Sequence, residues 1–228
     1  MYKLEAIAER IRQNFDRRNS KRDEALKQAR QLTRACSLAI RAVHRDDMEG
    51  MEVNLAEAQN LADRLRDELK GYPALFFAGY TQDSLKEFVE AKVTCALIQN
   101  HPLQTPEELG VEDATYLNGM AEVVGELRRR TLDILRSGYS EEAERLLGLM
   151  DEIYAVLVTM DYPDAITSGL RRQTDLVRGI IEKTRGDVTS SLRGRQLTEA
   201  IRALSSQLGG QVISEEGNSL SIPLNEDD

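Results

Sequence analysis

The sequence predicts an all-α protein, a bundle of about six to seven long antiparallel helices. Three observations carry that prediction. Apolar residues recur three and four positions apart in one segment after another, the spacing of a helix face. The 228-residue chain is dominated by Leu, Ala, Glu and Arg, all good helix formers, with 5% aromatic residues and no Trp. The five prolines, at positions 73, 102, 106, 163 and 223, fall between the periodic segments, where they do not interrupt a helix.

The elements follow in order. Leu4, Ile7, Ile11 and Phe15 mark a first helical stripe. The polar run DRRNSKRDEA then predicts an interruption, with Asn19 and Ser20 as N-cap candidates for a restart. The stripe resumes at Ala25, Ala29, Leu32, Cys36, Ala39 or Ile40, and Val43, and ends near His44 to Asp46. A second helix over 48–70 places Met51, Leu55, Ala58, Ala62, Leu65 and Leu69 on a seam suited to a partner helix. Gly71-Tyr72-Pro73 stops it, and ALFFAGY reads as a short helical turn. A third helix spans about 82–100, followed by HPLQTPEELGVED as a loop. The fourth runs over about 113–137 and ends at Gly138. The fifth starts at Ser140, with Glu141 and Glu142 in its first turn, and reaches about Met160. A long last helix covers about 163–207. Residues 1–207 thus read as a single helical domain. Residues 208–228, with five acidic and no basic residues, read as a flexible acidic tail.

Composition narrows the function classes. Cys36 and Cys95 lie inside apolar-periodic stretches and form no C-x-x-C pair, so buried free thiols are expected, not metal ligands. The N-terminal MYKLEAIAER lacks the apolar core of a signal peptide, and no apolar run approaches the ~20 residues of a membrane span. A cytoplasmic protein without a membrane partner is the expectation. The net charge of −9 is unevenly spread. Residues 1–45 hold 12 Lys and Arg against five acids, residues 46–164 hold 10 against 25, and residues 165–205 hold eight against four. Basic ends flank an acidic middle, which suits either solvated helix faces or a surface that holds a polyanion.

Catalytic candidates are few. No glycine-rich phosphate loop, nucleophile elbow or H-E-x-x-H occurs. His44 and His101 have no evident partner, and His44 is expected to bond free carbonyls at its helix end. What remains is acidic. Glu87 and Glu90, three apart, share a face of the third helix, and Glu122 and Glu126, four apart, share a face of the fourth. Two helices so equipped could aim four carboxylates at one point, the oxygen donor set that Mg²⁺ or Mn²⁺ prefers. The same spacing also occurs on any solvated face, and Arg128, Arg129 and Arg130 could pair with these acids locally. Asp151 and Glu152 are lower-ranked acidic candidates.

Five stretches together resemble the translin/Trax family. They are RDEALKQARQLTRACSLAIRAVHR at 22–45, LKEFVEA at 85–91, YLNGMAEVVGELRRR at 116–130, LMDEIYAVLVTMDYPDAI at 149–166 and GLRRQTDLVRGIIEKTRGDVTSSLR at 169–193. The likeness covers about residues 20–205, in order. It implies a seven-helix fold and a homo-oligomeric, octamer-like shell with an internal cavity. It also implies binding of single-stranded RNA or DNA. The Trax branch cuts RNA with a divalent metal through acids in E-F-x-E-A and G-x-A-[DE]-x-x-G-E-L, which correspond here to Glu87 and Glu90, then Glu122 and Glu126. The translin branch lacks the acidic set of the third helix, so the chain looks Trax-like in chemistry and resembles a single-subunit member of prokaryotic or archaeal type. One departure is Glu122, where the Trax pattern has Asp. The resemblance further implies nucleic-acid contacts from the last helix, here Arg171, Arg172, Arg178, Lys183 and Arg185. Three of these, Arg171, Arg178 and Arg185, are seven apart and lie near one stripe. The implied function is a metal-dependent endoribonuclease. The alternatives are a non-catalytic single-strand binder and a structural helical oligomer.

Overall fold

The computed structural model describes residues 2–207. Among the described residues there are nine helices and no strand: α1 (Tyr2–His44), α2 (Met48–Leu69), α3 (Pro73–Phe76), α4 (Gly79–Ile98), α5 (Pro106–Leu109), α6 (Asp113–Leu135), α7 (Glu141–Leu157), α8 (Asp164–Thr167) and α9 (Leu170–Gln207). Six are long and three are single turns. The all-α bundle matches the sequence prediction. The acidic tail of 208–228 lies outside the described residues.

Packing runs from α1 against α2 and α4, through α4 against α6, to α6 against α7 and α9. The core follows the apolar stripes. Leu32 and Cys36 of α1, Leu65 of α2, Leu85, Phe88 and Val89 of α4, Leu127 of α6 and Leu146 and Met150 of α7 are fully buried. The turn between α1 and α2 is tight. Asp46 adopts a left-handed conformation (φ 58°), and the Asp47 side chain accepts from the Gly50 amide at 2.9 Å to cap α2.

Four expectations are corrected. The polar stretch around Asn19 and Ser20 does not interrupt α1, which runs unbroken for 43 residues. Helix-forming Arg, Lys and Glu with local pairs such as Lys21–Glu24 (2.7 Å) carry the helix through it. The segment HPLQTPEELGVED is not all loop. Thr105 and Glu108 form a capping box, Pro106 opens the turn and Gly110 closes α5 with φ 64°. The last helix does not start at 163. Ser168 (φ 53°) and Gly169 (φ 84°) break it into α8 and α9. Finally, several stripe residues are not core. Leu4 (72% exposed) and Phe15 (62%) on α1, and Leu197, Ile201 and Leu204 on α9, face outward, because the outer parts of both helices extend past their packing partners.

The contact that matters most lies between α4 and α6. At Gly119 an added Cβ would stand 2.8 Å from Val89 Cβ and 3.0 Å from the Lys86 carbonyl oxygen. Only a glycine lets the two helices approach this closely. Gly119→Ala is expected to destabilise the fold by about 1–3 kcal/mol through overpacking of a rigid β-branched neighbour and backbone, measured by urea denaturation. A substitution at Gly125, where an added Cβ would meet nothing beyond its own helix backbone within 4 Å, serves as the control.

Candidate metal centre and nucleic-acid surface

Helix geometry brings the acids together. Glu122 lies one turn beyond Gly119 on α6, so the close helix approach sets it against Glu87 and Glu90 of α4. One carboxylate oxygen from each of Glu87, Glu90 and Glu122 falls within 4.8 Å of the other two. All three side chains are half-buried. Glu126, a further turn along α6, is outside this group of three oxygens. Its Oε2 lies 2.6 Å from Nε2 of His44, a residue that is almost fully buried at the end of α1.

The electrostatics register the crowding. Burial, then the charges of Glu122, Glu87 and Glu126, push the Glu90 carboxyl up to about 8. Burial and Glu122 also raise Glu87. Glu126 is held below the usual carboxylate range, because its hydrogen bond to His44 outweighs its burial. The Lys86 ammonium donates to Glu122 Oε1 at 2.6 Å. Burial works against that ammonium, but the contact with Glu122 prevails and raises its pKa. A site that holds a proton on Glu90 and a lysine on Glu122 has gathered more negative charge than it balances. Three hard oxygen donors with excess charge fit a divalent cation such as Mg²⁺ or Mn²⁺. Glu87, Glu90 and Glu122 are the residues that would hold it.

Two contributors were not singled out from sequence. His44 does not bond carbonyls at its helix end; it orients Glu126 across the α1–α6 contact. Lys86 directly precedes Glu87, and nothing in its spacing shows that it turns to Glu122 on another helix. The three consecutive arginines diverge. Arg128 reaches Asp187 of α9 (2.9 Å) and Thr184 Oγ1, Arg129 pairs with Glu126 (3.5 Å), and Arg130 holds Asp46 (2.7 Å) and the His44 carbonyl. Only Arg129 pairs locally as expected. Cys36 and Cys95 are free and buried.

The basic residues of α9 are exposed. Arg178 pairs with Glu182 (3.1 Å) and Arg185 with Asp151 (2.7 Å). Arg171, Arg172 and Lys183 make no ion pair among the described residues. Asp151 is thus engaged by Arg185 and is not one of the three converging carboxylates. Among the described residues no helix is long and apolar enough to cross a membrane.

The fold and this centre define a class first: an all-α bundle in which carboxylates from two facing helices converge on one point. No family model matches the chain. An uncharacterized protein of Methanocaldococcus jannaschii is 33% identical over 187 residues, which is 81% of this chain and 82% of that protein. The structure of AfC3PO in complex with duplex RNA is similar at a TM-score of 0.77 and 32% identity, covering 82% of this chain and 97% of that one. A crystal structure of AfC3PO matches at a TM-score of 0.76 and 32% identity, covering 82% of this chain and 98% of that one. Apo-NeC3PO shares the fold at a TM-score of 0.73 and 24% identity, over 80% of this chain and 96% of that one. The chain belongs to the translin/Trax-like family.

The raised Glu90 carboxyl has a consequence for stability. The folded chain binds a proton there that the unfolded chain releases near the ordinary glutamate value of 4.5. Stability from this group is therefore present at low pH and lost as pH rises towards about 8. Without added metal, Glu90→Gln is expected to melt higher than the parent at pH 8.5 by roughly 2–4 °C, about 1 kcal/mol for a chain of this size, and to differ less at pH 5. Thermal melts at the two pH values check this; Mn²⁺ is expected to raise the melting temperature of the parent more than that of the variant.

Proposed function

We propose that this chain is a homo-oligomeric nucleic-acid-binding protein that cuts single-stranded RNA with a divalent cation held by Glu87, Glu90 and Glu122. The observation that carries the reading is the convergence of three carboxylate oxygens from α4 and α6 within 4.8 Å of one another. The similarity to AfC3PO, which has been seen with duplex RNA, supports RNA as the ligand. When bound, the cation would activate water and offset charge on the scissile phosphate.

The residues of the chain divide the remaining work. Glu87 and Glu90 come from a rigid helix, and Glu122 is positioned by the Gly119 contact, so little reorganisation is needed at the centre. Glu126 stands apart from the three oxygens and is oriented by His44 and Arg129 at its Oε2, which leaves its Oε1 to accept a proton from the nucleophile. Glu122 takes the place of the Asp in the Trax pattern; its longer side chain reaches both the group of three oxygens and Lys86. Arg171, Arg172 and Lys183 supply exposed charge for the phosphate backbone. Arg178 and Arg185 join them when their acidic partners are exchanged for phosphate. Such contacts give binding that weakens with salt and carries little sequence information. The exposed apolar stripes of α1 and α9 support assembly with further copies of the chain, towards the octamer-like shell.

A second reading is favoured by one observation. Two of the four acids already have partners, Glu122 in Lys86 and Glu126 in His44, as structural acids do. On that reading the chain binds nucleic acid without cutting it. Labelled single-stranded and duplex RNA, incubated with Mn²⁺ or Mg²⁺ at low salt, distinguish the two. Cleavage is expected for single-stranded RNA, to be abolished by EDTA, and to fall by at least about a hundredfold in Glu90→Ala and in Glu126→Ala. Binding without cleavage in both metals leaves the non-catalytic binder, and no binding at low salt leaves a structural oligomer.

A further inference from the structure

A cavity of about 500 Å³ opens beside the carboxylates, between α4, α6, α8 and the start of α9. Its volume lies within the range of about 300–1,000 Å³ usual for small-molecule sites. It adjoins the carboxylate centre through Lys86, which lines the cavity while its Nζ contacts Glu122.

The walls are fixed by their own hydrogen bonds. Gln82 Nε2 donates to the Phe76 carbonyl (2.8 Å), and its Oε1 accepts from Thr115 Oγ1 (2.7 Å). Asn118 Nδ2 donates to the carbonyls of Ala114 (2.8 Å) and Thr167 (2.9 Å), tying α6 to α8. Inside this frame Asp83, Glu112 and Gln173 line the cavity, and their side chains make no hydrogen bond or ion pair among the described residues. The ring of Phe77 is exposed at the cavity and held edge-on by Phe76 at 5.0 Å. Pre-set walls, unpaired acceptors and an exposed ring are what a flat, hydrogen-bonding ligand needs.

The charges decide which part of a nucleotide enters. A phosphate inside would face Asp83 and Glu112. Among the described residues, the one cation lining the cavity, Lys86, sits at its junction with the carboxylate centre. The phosphate therefore belongs at that junction and the base in the cavity. We propose that this cavity is a nucleobase subsite for the nucleotide next to the cleaved bond, selecting bases with an exocyclic amine. The proposal rests on the RNA-cutting reading above. Adenine, cytosine and guanine offer an amine to the Asp83 and Glu112 carboxylates as charge-assisted hydrogen bonds. Uracil has no exocyclic amine, and its single ring donor, N3–H, is flanked by two carbonyl oxygens that would meet acceptors that cannot pair with them.

The test uses the full chain with Mn²⁺ and unstructured oligouridine RNA, with or without one central adenosine or cytidine. Cleavage is expected to concentrate at one fixed position relative to the inserted base, at about ten times or more the rate of the matching uridine site. In the double variant Asp83→Asn, Glu112→Gln that ratio is expected to fall to within about twofold, because an amide also offers a donor to the uracil carbonyls. Equal cutting at all positions by the parent chain, or a ratio that the double variant leaves unmoved, overturns the subsite while the nuclease reading stands. Binding is measured separately on the Glu90→Gln protein by following the Gln173 side-chain amide in NMR spectra during titration with adenosine or uridine. A shift with adenosine and none with uridine supports the subsite even if RNA is not cut. No shift with either overturns it.

Discussion

The centre depends on how closely α4 and α6 approach at Gly119. A Cβ there would collide with Val89 and press on the Lys86 carbonyl, both on the helix that carries Glu87 and Glu90. The glycine gives up helix propensity of roughly 1 kcal/mol relative to alanine, and the fold gains a contact that no side chain permits. One turn later Glu122 stands opposite the two acids of α4, and a second turn later Glu126 meets the end of α1. The positions of these acids are thus set by one backbone approach and the helical repeat.

That approach creates an electrostatic conflict, and the surrounding residues each relieve part of it. Lys86 compensates Glu122, while His44 and Arg129 compensate Glu126. Glu90, with no basic contact of its own, shows the largest effect and retains a proton up to about pH 8. Arg130 and Arg128 secure the frame around the centre by tying α6 to the α1–α2 turn and to α9. A bundle stabilised only by apolar packing would not collect acids in this way, because like charges brought together in a half-buried place oppose folding. Their collection opposes folding, and the rest of the core offsets it.

The outer surface has a different logic. Leu4, Ile7, Ile11 and Phe15 repeat at helical spacing yet remain exposed, as do Leu197, Ile201 and Leu204 on the distal part of α9. Helix α1 runs for 43 residues, but its buried positions begin at Ala25. The seam of α2, in contrast, is consumed inside the chain: Met51, Ala58, Ala62, Leu65 and Leu69 are all buried. The apolar surplus therefore sits on the two helical arms and not on the second helix, where contacts between chains would also have been compatible with the sequence pattern.

Much of this was determined by the sequence alone. Apolar spacing, proline positions and caps such as Ser140 depend on neighbours within a few residues, so the six long helices and most of their ends were legible. Paired acids on two helix faces were legible for the same reason. The continuity of α1 through Asn19 and Ser20, and the break at Ser168 and Gly169, were not, since helix-forming neighbours outweighed a weak cap in one case and a left-handed pair interrupted an apolar pattern in the other. Which stripe residues are covered was also decided by tertiary structure, because burial depends on how far the neighbouring helices extend. The same holds for His44 beside Glu126 and Lys86 beside Glu122, which are separated by 82 and 36 positions. The acids were visible as two pairs of helix positions; that three of their oxygens converge, while the fourth acid turns to a histidine, follows from the distance between two helices, which local spacing does not encode.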